Sequence, residues 1–225
     1  MTGQNINIIN DSYKSIVQKM HENIDVIDIL NNNTEYSKFE KQYNTIIGKD
    51  YHRLYKNYEN LFSIIDKHDN FYVLKDNTTA EVISFSGFML SYYREHNVAR
   101  IFNRHYVNPK FRQKSLVATK NGYKQYSYNT CLLLPLCIEK AKNIGLEGIF
   151  WSKESDLKLI QKLAEWQNKI LTSKYQFYCL NKKCNVCRTV NDNGDYIGIN
   201  PAVSCQQHVV FMPLKQNSQL TIPHS

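Results

Sequence analysis

Two cysteines of this chain are separated by two residues, a spacing at which a pair of thiolates can bind one zinc ion. They are Cys184 and Cys187, and Cys179, Cys205 and His208 could supply further ligands from neighbouring strands. Cys205 and His208, however, are three residues apart in a predicted strand, so they point to opposite faces. We therefore expect no metal. A zinc site of Cys179, Cys184, Cys187 and Cys205 is the alternative to a β-hairpin with thiols near its turn.

The absence of other known motifs argues against several classes of protein. The sequence contains no Walker loop, Ser/His/Asp signature, paired-carboxylate motif or RNA-binding aromatic consensus. The formal net charge of +8 leaves an anionic cofactor and nucleic acid open as ligands. The basic loop 110–124, with Phe111 and Tyr123 among its cations, is the nucleic-acid candidate, and we rank it below the hypotheses given later.

Bulk composition predicts a soluble protein with one core. The chain has 225 residues, 42% of them hydrophobic, and no run of about 18 apolar residues that would span a membrane. The N-terminus lacks the pattern of a signal peptide, so we expect a cytoplasmic protein, in the host cytoplasm if it is viral. The six cysteines are too few and uneven for a disulfide framework and are interpreted as reduced thiols.

The first third of the chain is predicted to be helical. Residues 6–9 contain three isoleucines and indicate a short strand, which Asn10, Asp11 and Ser12 would separate from a helix. Apolar residues spaced by three or four then continue to about residue 68. The polar stretch 31–37 interrupts this pattern, so we expect two or three helices.

The middle of the chain changes to a two-residue period, which predicts an antiparallel meander of strands at 71–76, 80–95 and 98–109. Pro109 should end the third strand, because proline cannot donate to a sheet ladder.

After a basic, polar connection, the pattern predicts alternating helices and strands. A helix at 130–145 should stop at Gly145, followed by a strand at 146–152 and a helix at 155–170. Strands at 175–180 and 205–214 complete a single domain, 1–214. It consists of a helical part, 12–68, and a sheet core, 71–214, and 215–225 is predicted to be a flexible tail.

This succession of elements resembles the GNAT N-acetyltransferase superfamily, and the resemblance covers roughly residues 71–214. The segment RIFNRHYVNPKFRQKSL (100–116) looks like the family's central strand, its Val-x-Pro ending and the start of its cofactor loop. The resemblance implies an α/β (α+β) fold with a mixed, mainly antiparallel central sheet flanked by helices. It also implies acetyl-CoA as cofactor and an amine as substrate, either a small molecule or a protein N-terminus or lysine.

The family's cofactor loop, Arg/Gln-x-x-Gly-x-Gly/Ala, opens the helix that follows it. The aligned residues here are Arg112, Gln113, Lys114, Ser115, Leu116 and Val117. Main-chain amides at a helix N-terminus can hold a pyrophosphate, and glycines let the backbone approach it closely. Ser115 and Val117 replace the two small residues, and each added Cβ narrows that approach.

The resemblance also implies where the reaction would occur. The two strands 100–107 and 146–152 should splay and admit the pantetheine arm, with the thioester near Tyr106, Val107 and Trp151. His105 or Glu154 could serve as base, and Tyr175 or Tyr178 as acid. Each of these residues could instead have a purely structural role. His105 alternates with apolar residues and could lie in the core, Glu154 could stabilise the start of a helix, and most tyrosines are expected to pack in the core.

Two functions of different class follow. The first is an acetyl-CoA-dependent N-acyltransferase. The second is a non-catalytic GNAT-like binding or assembly protein, for example of a virus or mobile element. The missing glycines of the cofactor loop favour this second function.

Overall fold

The computed structural model describes most of the chain and contains a large sheet between two helical layers. The described residues are 5–49, 61–65, 69–93, 96–101, 106–112, 116–119, 122–125, 127–153, 157–183, 188–190, 196–199 and 208–215.

The main sheet has the strand order β1-β2-β3-β4-β8-β12-β9, with β5 also paired to β3. Its strands are β1 (Ile24–Asp28), β2 (Asn70–Asp76), β3 (Val82–Tyr93), β4 (His96–Ile101), β5 (Tyr106–Val107), β8 (Gly148–Lys153), β9 (Tyr178–Lys183) and β12 (His208–Pro213). Within this sheet the described pairs are antiparallel except β4 with β8, which is parallel. This confirms the predicted class, a mixed and mainly antiparallel sheet flanked by helices.

Two short ribbons form separate two-stranded sheets. One pairs β6 (Leu116–Thr119) with β7 (Gly122–Gln125), and the other pairs β10 (Arg188–Val190) with β11 (Tyr196–Ile199). Neither ribbon was predicted: β6 and β7 lie within the predicted connection after Pro109, and β10 and β11 lie between the predicted strands 175–180 and 205–214.

The helices lie on both faces of the sheet. They are α1 (Asp11–Asn23), α2 (Asn33–Gln42), α3 (Phe62–Ile65), α4 (Pro109–Arg112), α5 (Leu134–Asn143) and α6 (Leu157–Ile170). A π-helical turn, Tyr43–Ile47, continues α2, and another, Asn129–Leu133, precedes α5. Among the described residues, none of these helices has the length and apolarity needed to cross a bilayer.

Two hydrophobic clusters show which helices share a face. Helices α1, α5 and α6 contribute to the larger cluster, together with Leu74 of β2. The smaller cluster contains α2 and α3, with Val73 of β2 and Phe39 at the centre of several ring contacts. Because consecutive strand residues face opposite sides of a sheet, Val73 and Leu74 assign the clusters to opposite faces.

The N-terminal region differs from the prediction. Residues Asn5–Ile8 form a 3₁₀ helix rather than a strand, and Ile9 makes a single antiparallel bridge to Leu171. Ile24–Asp28, predicted to continue the first helix, is an edge strand paired with β2. The spacing of its apolar residues fits both a helix and a strand, and the long-range pairing with β2 selects the strand.

The end of α5 confirms the predicted glycine stop. Gly145 has a φ of +79°, a conformation that glycine adopts without steric cost. The amide of Leu146 donates to the carbonyl of Ala141 and that of Gly145 to Lys142, which is the Schellman pattern. The chain is thereby turned from α5 into β8.

Candidate functional site

The parallel pair of β4 and β8, the one such pair among the described strands of the main sheet, is the centre of the candidate site. Described register pairs join Val98 to Gly148, Ala99 to Ile149 and Arg100 to Phe150. Beyond these pairs, the described partners of the two strands lie on the sides that face away from each other. Tyr106 and Val107 pair with β3, whereas Ser152 and Lys153 pair with β12.

Asn108 fixes the chain where it leaves β5. Its amide donates to the carbonyl of Ile83 at 2.8 Å, and its side-chain amide donates to the carbonyl of Val82 at 3.1 Å. Its Oδ1 accepts from the amide of Lys110 at 3.1 Å. Pro109 therefore ends the strand as predicted, and it begins the short helix α4, where a missing N–H costs nothing.

The ribbon of β6 and β7 is inserted between α4 and the π-helical turn at Asn129. At its base, Phe111 and Tyr128 are both buried and make an edge-to-face contact with ring centroids 6.5 Å apart. The π-helical turn Asn129–Leu133 and α5 together form the crossover helix between β4 and β8. The two ends of the insertion therefore meet beside the start of this crossover helix.

That helix start carries a buried polar cluster which the sequence analysis missed. Asn129 is 9% exposed, and its Oδ1 accepts from the Oγ of Ser84 on β3 at 2.6 Å. The Nδ2 of Asn129 is buried and has no hydrogen-bond partner among the described residues. The amide of Thr130 donates to the Oγ of Ser127 at 3.4 Å. Polar residues directly before an apolar run are a helix-start signal, and 127–130 has that pattern.

The predicted cofactor loop does not lead directly into this helix. Arg112 is the last residue of α4, and Leu116 and Val117 are in β6, opposite Gln125 and Lys124 of β7. Gln113, Lys114 and Ser115 lie outside the described residues. The predicted loop thus leads into a hairpin, and the helix begins only after that hairpin.

The residues expected near the thioester lie on different faces of the sheet. Tyr106 is buried in the smaller cluster, with its ring stacked on Phe85 at 5.2 Å between centroids. Trp151 packs against the larger cluster, where its Nε1 donates to the Oε1 of Gln167 on α6 at 3.1 Å. Val107 pairs with Ser84, so the strand end is next to the residue that holds Asn129.

Two of the four candidate acids and bases can be located in the described structure, Tyr175 and Tyr178. His105 and Glu154 lie outside the described residues. Tyr175 is buried, and its hydroxyl accepts from the Nζ of Lys142 at 2.9 Å, near the end of α5 remote from Asn129. Tyr178 is in β9, opposite Phe211, with 40% of its surface exposed.

The described cysteines are poor nucleophiles. Burial raises the pKa of the Cys131 and Cys137 thiols to about 12, so both are protonated at neutral pH. Burial also raises the pKa of Cys179, in β9. The other three zinc candidates, Cys184, Cys187 and Cys205, lie outside the described residues, so the zinc alternative stays a prediction.

A separate cavity of about 330 Å³ lies at the β1 edge of the sheet, against α2 and the turn between β2 and β3. Its charged residues are three lysines and three carboxylates, Lys38, Lys41, Lys75, Asp25, Glu35 and Asp76. Glu35 bridges Lys38 and Lys75, at 2.6 and 2.5 Å. Gln42 closes one wall by bonding to the backbone of Ala80 and Val82.

Comparison with known proteins finds similarity at the level of structure only. No protein-family profile and no curated protein matches the sequence. A GNAT-family acetyltransferase from Staphylococcus aureus overlaps with a TM-score of 0.45 and 15% identity, over 85% of this chain and 99% of that one.

Two further acetyltransferases show similar overlap. A Bacillus subtilis acetyltransferase in complex with CoA has a TM-score of 0.40 and 12% identity, over 68% of this chain and 81% of that one. The spermidine/spermine N-acetyltransferase SpeG from Vibrio cholerae, in complex with manganese ions, has a TM-score of 0.43 and 10% identity, over 87% and 95%. The fold assignment rests on the strand order and pairing described above.

Proposed function

We propose that this chain is an acetyl-CoA-dependent N-acyltransferase that acts on an amine. One observation carries the proposal: the parallel strands β4 and β8 are joined by a crossover whose helix begins at a buried, partly unpartnered Asn129. The resemblance of segment 100–116 to the GNAT superfamily supports the same conclusion independently of that geometry.

The helix start at 127–131 fits an anionic group such as a pyrophosphate. The helix dipole adds a partial positive charge there. The amides of Thr130 and Cys131 already donate to the Oγ and the carbonyl of Ser127, at 3.4 and 2.8 Å, so the binding of an anion would depend mainly on the dipole and on side-chain donors. Asn129 adds a side-chain donor, because its Nδ2 has no acceptor among the described residues. Arg112 and Lys114 precede Asn129 by 17 and 15 residues. Arg112 would add charge, because its neighbour Phe111 contacts Tyr128. In this proposal the helix start replaces residues 112–117 as the main contact.

Acetyl-CoA would supply an activated acetyl thioester. The chain would hold the pantetheine arm between the ends of β4 and β8, so that the acetyl group meets the amine in a fixed orientation. His105 or Glu154 would accept the proton of the attacking ammonium, and a tyrosine would protonate the departing thiolate. We favour Tyr178 as the acid, because it is 40% exposed whereas Tyr175 is buried.

The proposal is tested by titrating the protein with acetyl-CoA while following thermal unfolding. A ligand that binds only the folded state at about 100 times its Kd stabilises that state by about 2.7 kcal/mol. For a domain of this size the melting temperature should therefore rise by roughly 5 to 10 °C. Isothermal titration then gives the affinity of each variant.

Asn129→Asp is the informative variant, because it keeps the acceptor for Ser84 but places a negative charge where the pyrophosphate would bind. We expect its acetyl-CoA affinity to fall at least tenfold. Asn32→Asp is the matched control, since Asn32 caps the start of α2 by accepting from the amide of Glu35 at 3.1 Å, and aspartate caps equally well.

Two results would contradict the proposal. If millimolar acetyl-CoA leaves the unfolding temperature unchanged, the non-catalytic binding or assembly protein becomes the better explanation. If Asn129→Asp and Asn32→Asp lose affinity equally, acetyl-CoA is not bound at the helix start.

A further inference from the structure

The cavity at the β1 edge of the sheet carries opposite charges on its two walls. The wall formed by α2 has two lysines and one carboxylate, a net charge of +1: Glu35, Lys38 and Lys41. The wall formed by β1 and β2 has one lysine and two carboxylates, a net charge of −1: Asp25, Lys75 and Asp76. The cavity is therefore neutral as a whole, with positive charge on the helix and negative charge on the strands.

Two of these six charged groups have no partner among the described residues. In the pairing of β1 with β2, Asp25 lies directly opposite Lys75, but the Nζ of Lys75 contacts the carboxylate of Glu35 instead. Neither the carboxylate of Asp25 nor the ammonium of Lys41 forms a hydrogen bond or an ion pair with a described residue. Both side chains line the cavity and are exposed, so they are available to a ligand.

The rest of the lining is fixed by contacts within the fold. The Oδ1 of Asp76 accepts from the amides of Thr78 and Thr79, at 3.0 and 2.8 Å, which holds the turn between β2 and β3. The side-chain amide of Gln42 joins α2 to the backbone at the end of that turn. Ile27 of β1 adds an apolar surface. The cavity thus has a preformed shape in which two charges on different elements wait for a counter-ion.

We propose that this cavity binds a small zwitterion whose ammonium and carboxylate lie at opposite ends, as in an ω-amino acid. The ammonium of the ligand pairs with Asp25, its carboxylate pairs with Lys41, and its methylene chain lies against Ile27. A simple anion would be repelled by Asp25 and a simple cation by Lys41, so neither satisfies both groups. The volume of about 330 Å³ is at the small end of ligand pockets and suits a molecule of this size.

This site is separate from the proposed acetyl-CoA site and does not rest on it. In the strand order of the main sheet, β1 is three strands away from β4. At about 4.8 Å between neighbouring strands, that distance is roughly 14 Å. Binding of the zwitterion is therefore measured without acetyl-CoA.

A chemical-shift titration of the full chain by two-dimensional NMR tests this inference. The probe is γ-aminobutyrate, and its matched analogues are valerate and butylamine, in which a methyl group replaces the ammonium or the carboxylate. Titration to about 20 mM should saturate, because two exposed ion pairs give a dissociation constant on the order of 1 mM. The amides of 25–27, 38–42 and 75–80 should shift, and those of 148–153 should not. Each analogue should bind about fivefold more weakly, since it lacks one ion pair.

Single substitutions assign each end of the ligand. Asp25→Asn should weaken binding of γ-aminobutyrate about fivefold but should not weaken binding of valerate, which has no ammonium. Lys41→Gln should weaken γ-aminobutyrate by a similar factor but should not weaken butylamine. The matched controls, Glu165→Gln and Lys169→Gln, remove the same charges from exposed positions of α6, which packs on the other face of the sheet. Both controls should bind γ-aminobutyrate as the wild type does.

Three results would overturn the inference. The first is the absence of shifts in α2 and β1 at the highest concentration of γ-aminobutyrate. The second is equally tight binding of valerate or butylamine, which would mean that the cavity recognises a single charge. The third is a loss of affinity in Asp25→Asn or Lys41→Gln no greater than in the controls. Because acetyl-CoA is absent from these titrations, none of these results bears on the proposed acyl transfer.

Discussion

Glu35 is the residue on which a small network of charges depends. Its carboxylate contacts Lys38, whose side chain is 60% exposed, and Lys75, whose side chain is only 6% exposed. Removing the partner of a buried charge is costly because the remaining charge has lost both water and its counter-ion. The stability of this edge of the sheet should therefore depend far more on Glu35 than on Lys38.

We predict that Glu35→Gln lowers the free energy of unfolding by about 2 to 3 kcal/mol, because it removes the carboxylate that pairs with the buried Lys75. Lys38→Gln is the control and should change it by less than about 0.5 kcal/mol, as for other exposed pairs. Urea unfolding at neutral pH measures both. Equal effects of the two substitutions would show that Lys75 does not need Glu35.

The same pair gives a defined pH dependence. Hydrogen bonds from Lys38 and Lys75 lower the pKa of Glu35 below its usual value of 4.5. A carboxyl whose pKa is lowered by folding stabilises the folded state above its unfolded pKa and loses that contribution as pH falls through its folded pKa. The difference between wild type and Glu35→Gln should thus be largest at neutral pH and shrink in acid. A difference that grows in acid would contradict this explanation.

At the scale of elements, two positive φ angles provide a matched pair of substitutions. Gly145 ends α5 with a φ of +79° and has open space around the position of a Cβ, whereas Ala80 holds a φ of +56° in the turn between β2 and β3. The cost of alanine at Gly145 should therefore be conformational rather than steric.

We predict that Gly145→Ala lowers the free energy of unfolding by about 1 kcal/mol, since alanine is disfavoured in the left-handed region. Ala80→Gly should leave it unchanged or raise it by up to about 1 kcal/mol, because relief of strain is offset by the greater freedom of glycine in the unfolded chain. Thermal unfolding of both variants provides the measurement. If Gly145→Ala is as stable as the wild type, the Schellman turn does not depend on glycine.

Elements with strong local patterns could be predicted from the sequence, and those defined by long-range pairing could not. The strands β2 and β3, the helix α6 and the glycine stop of α5 follow from periodicity and turn residues within a few positions. Ile24–Asp28 could not be assigned in this way, because its apolar residues also fit a helical stripe and only β2 selects the strand. The β6 and β7 ribbon has a local hairpin signal in the sequence, Asn121 followed by Gly122, and Gly122 pairs with Thr119 where the ribbon turns.

The candidate site was harder to predict than the fold, because it depends on where the crossover helix begins. Matching the family's loop directly after Pro109 selected 112–117, whereas the intervening ribbon delays the helix until Asn129. An insertion of this kind changes which amides lie at the helix start but leaves the order of the main strands intact. The buried contact between Ser84 and Asn129, 45 residues apart, has no signature in either segment alone.

On the scale of the whole molecule, the proposed cofactor site and the ribbon of β6 and β7 share one region. The ribbon leaves the chain after Phe111 and returns at Tyr128, next to the helix start at Asn129. The cavity at the β1 edge lies against other elements, α2 and the turn between β2 and β3, and its charged residues balance. The anionic cofactor proposed here should therefore act on the central crossover rather than on that edge.

Hydrogen exchange with and without saturating acetyl-CoA tests the central claim most directly, because it locates binding along the backbone. If acetyl-CoA is held at the start of the crossover helix between β4 and β8, exchange should slow in peptides covering 127–133 and 148–153. Exchange in α2 and β1 should stay unchanged. Slowing confined to α2 and β1, or no slowing in any peptide, would contradict the proposed site.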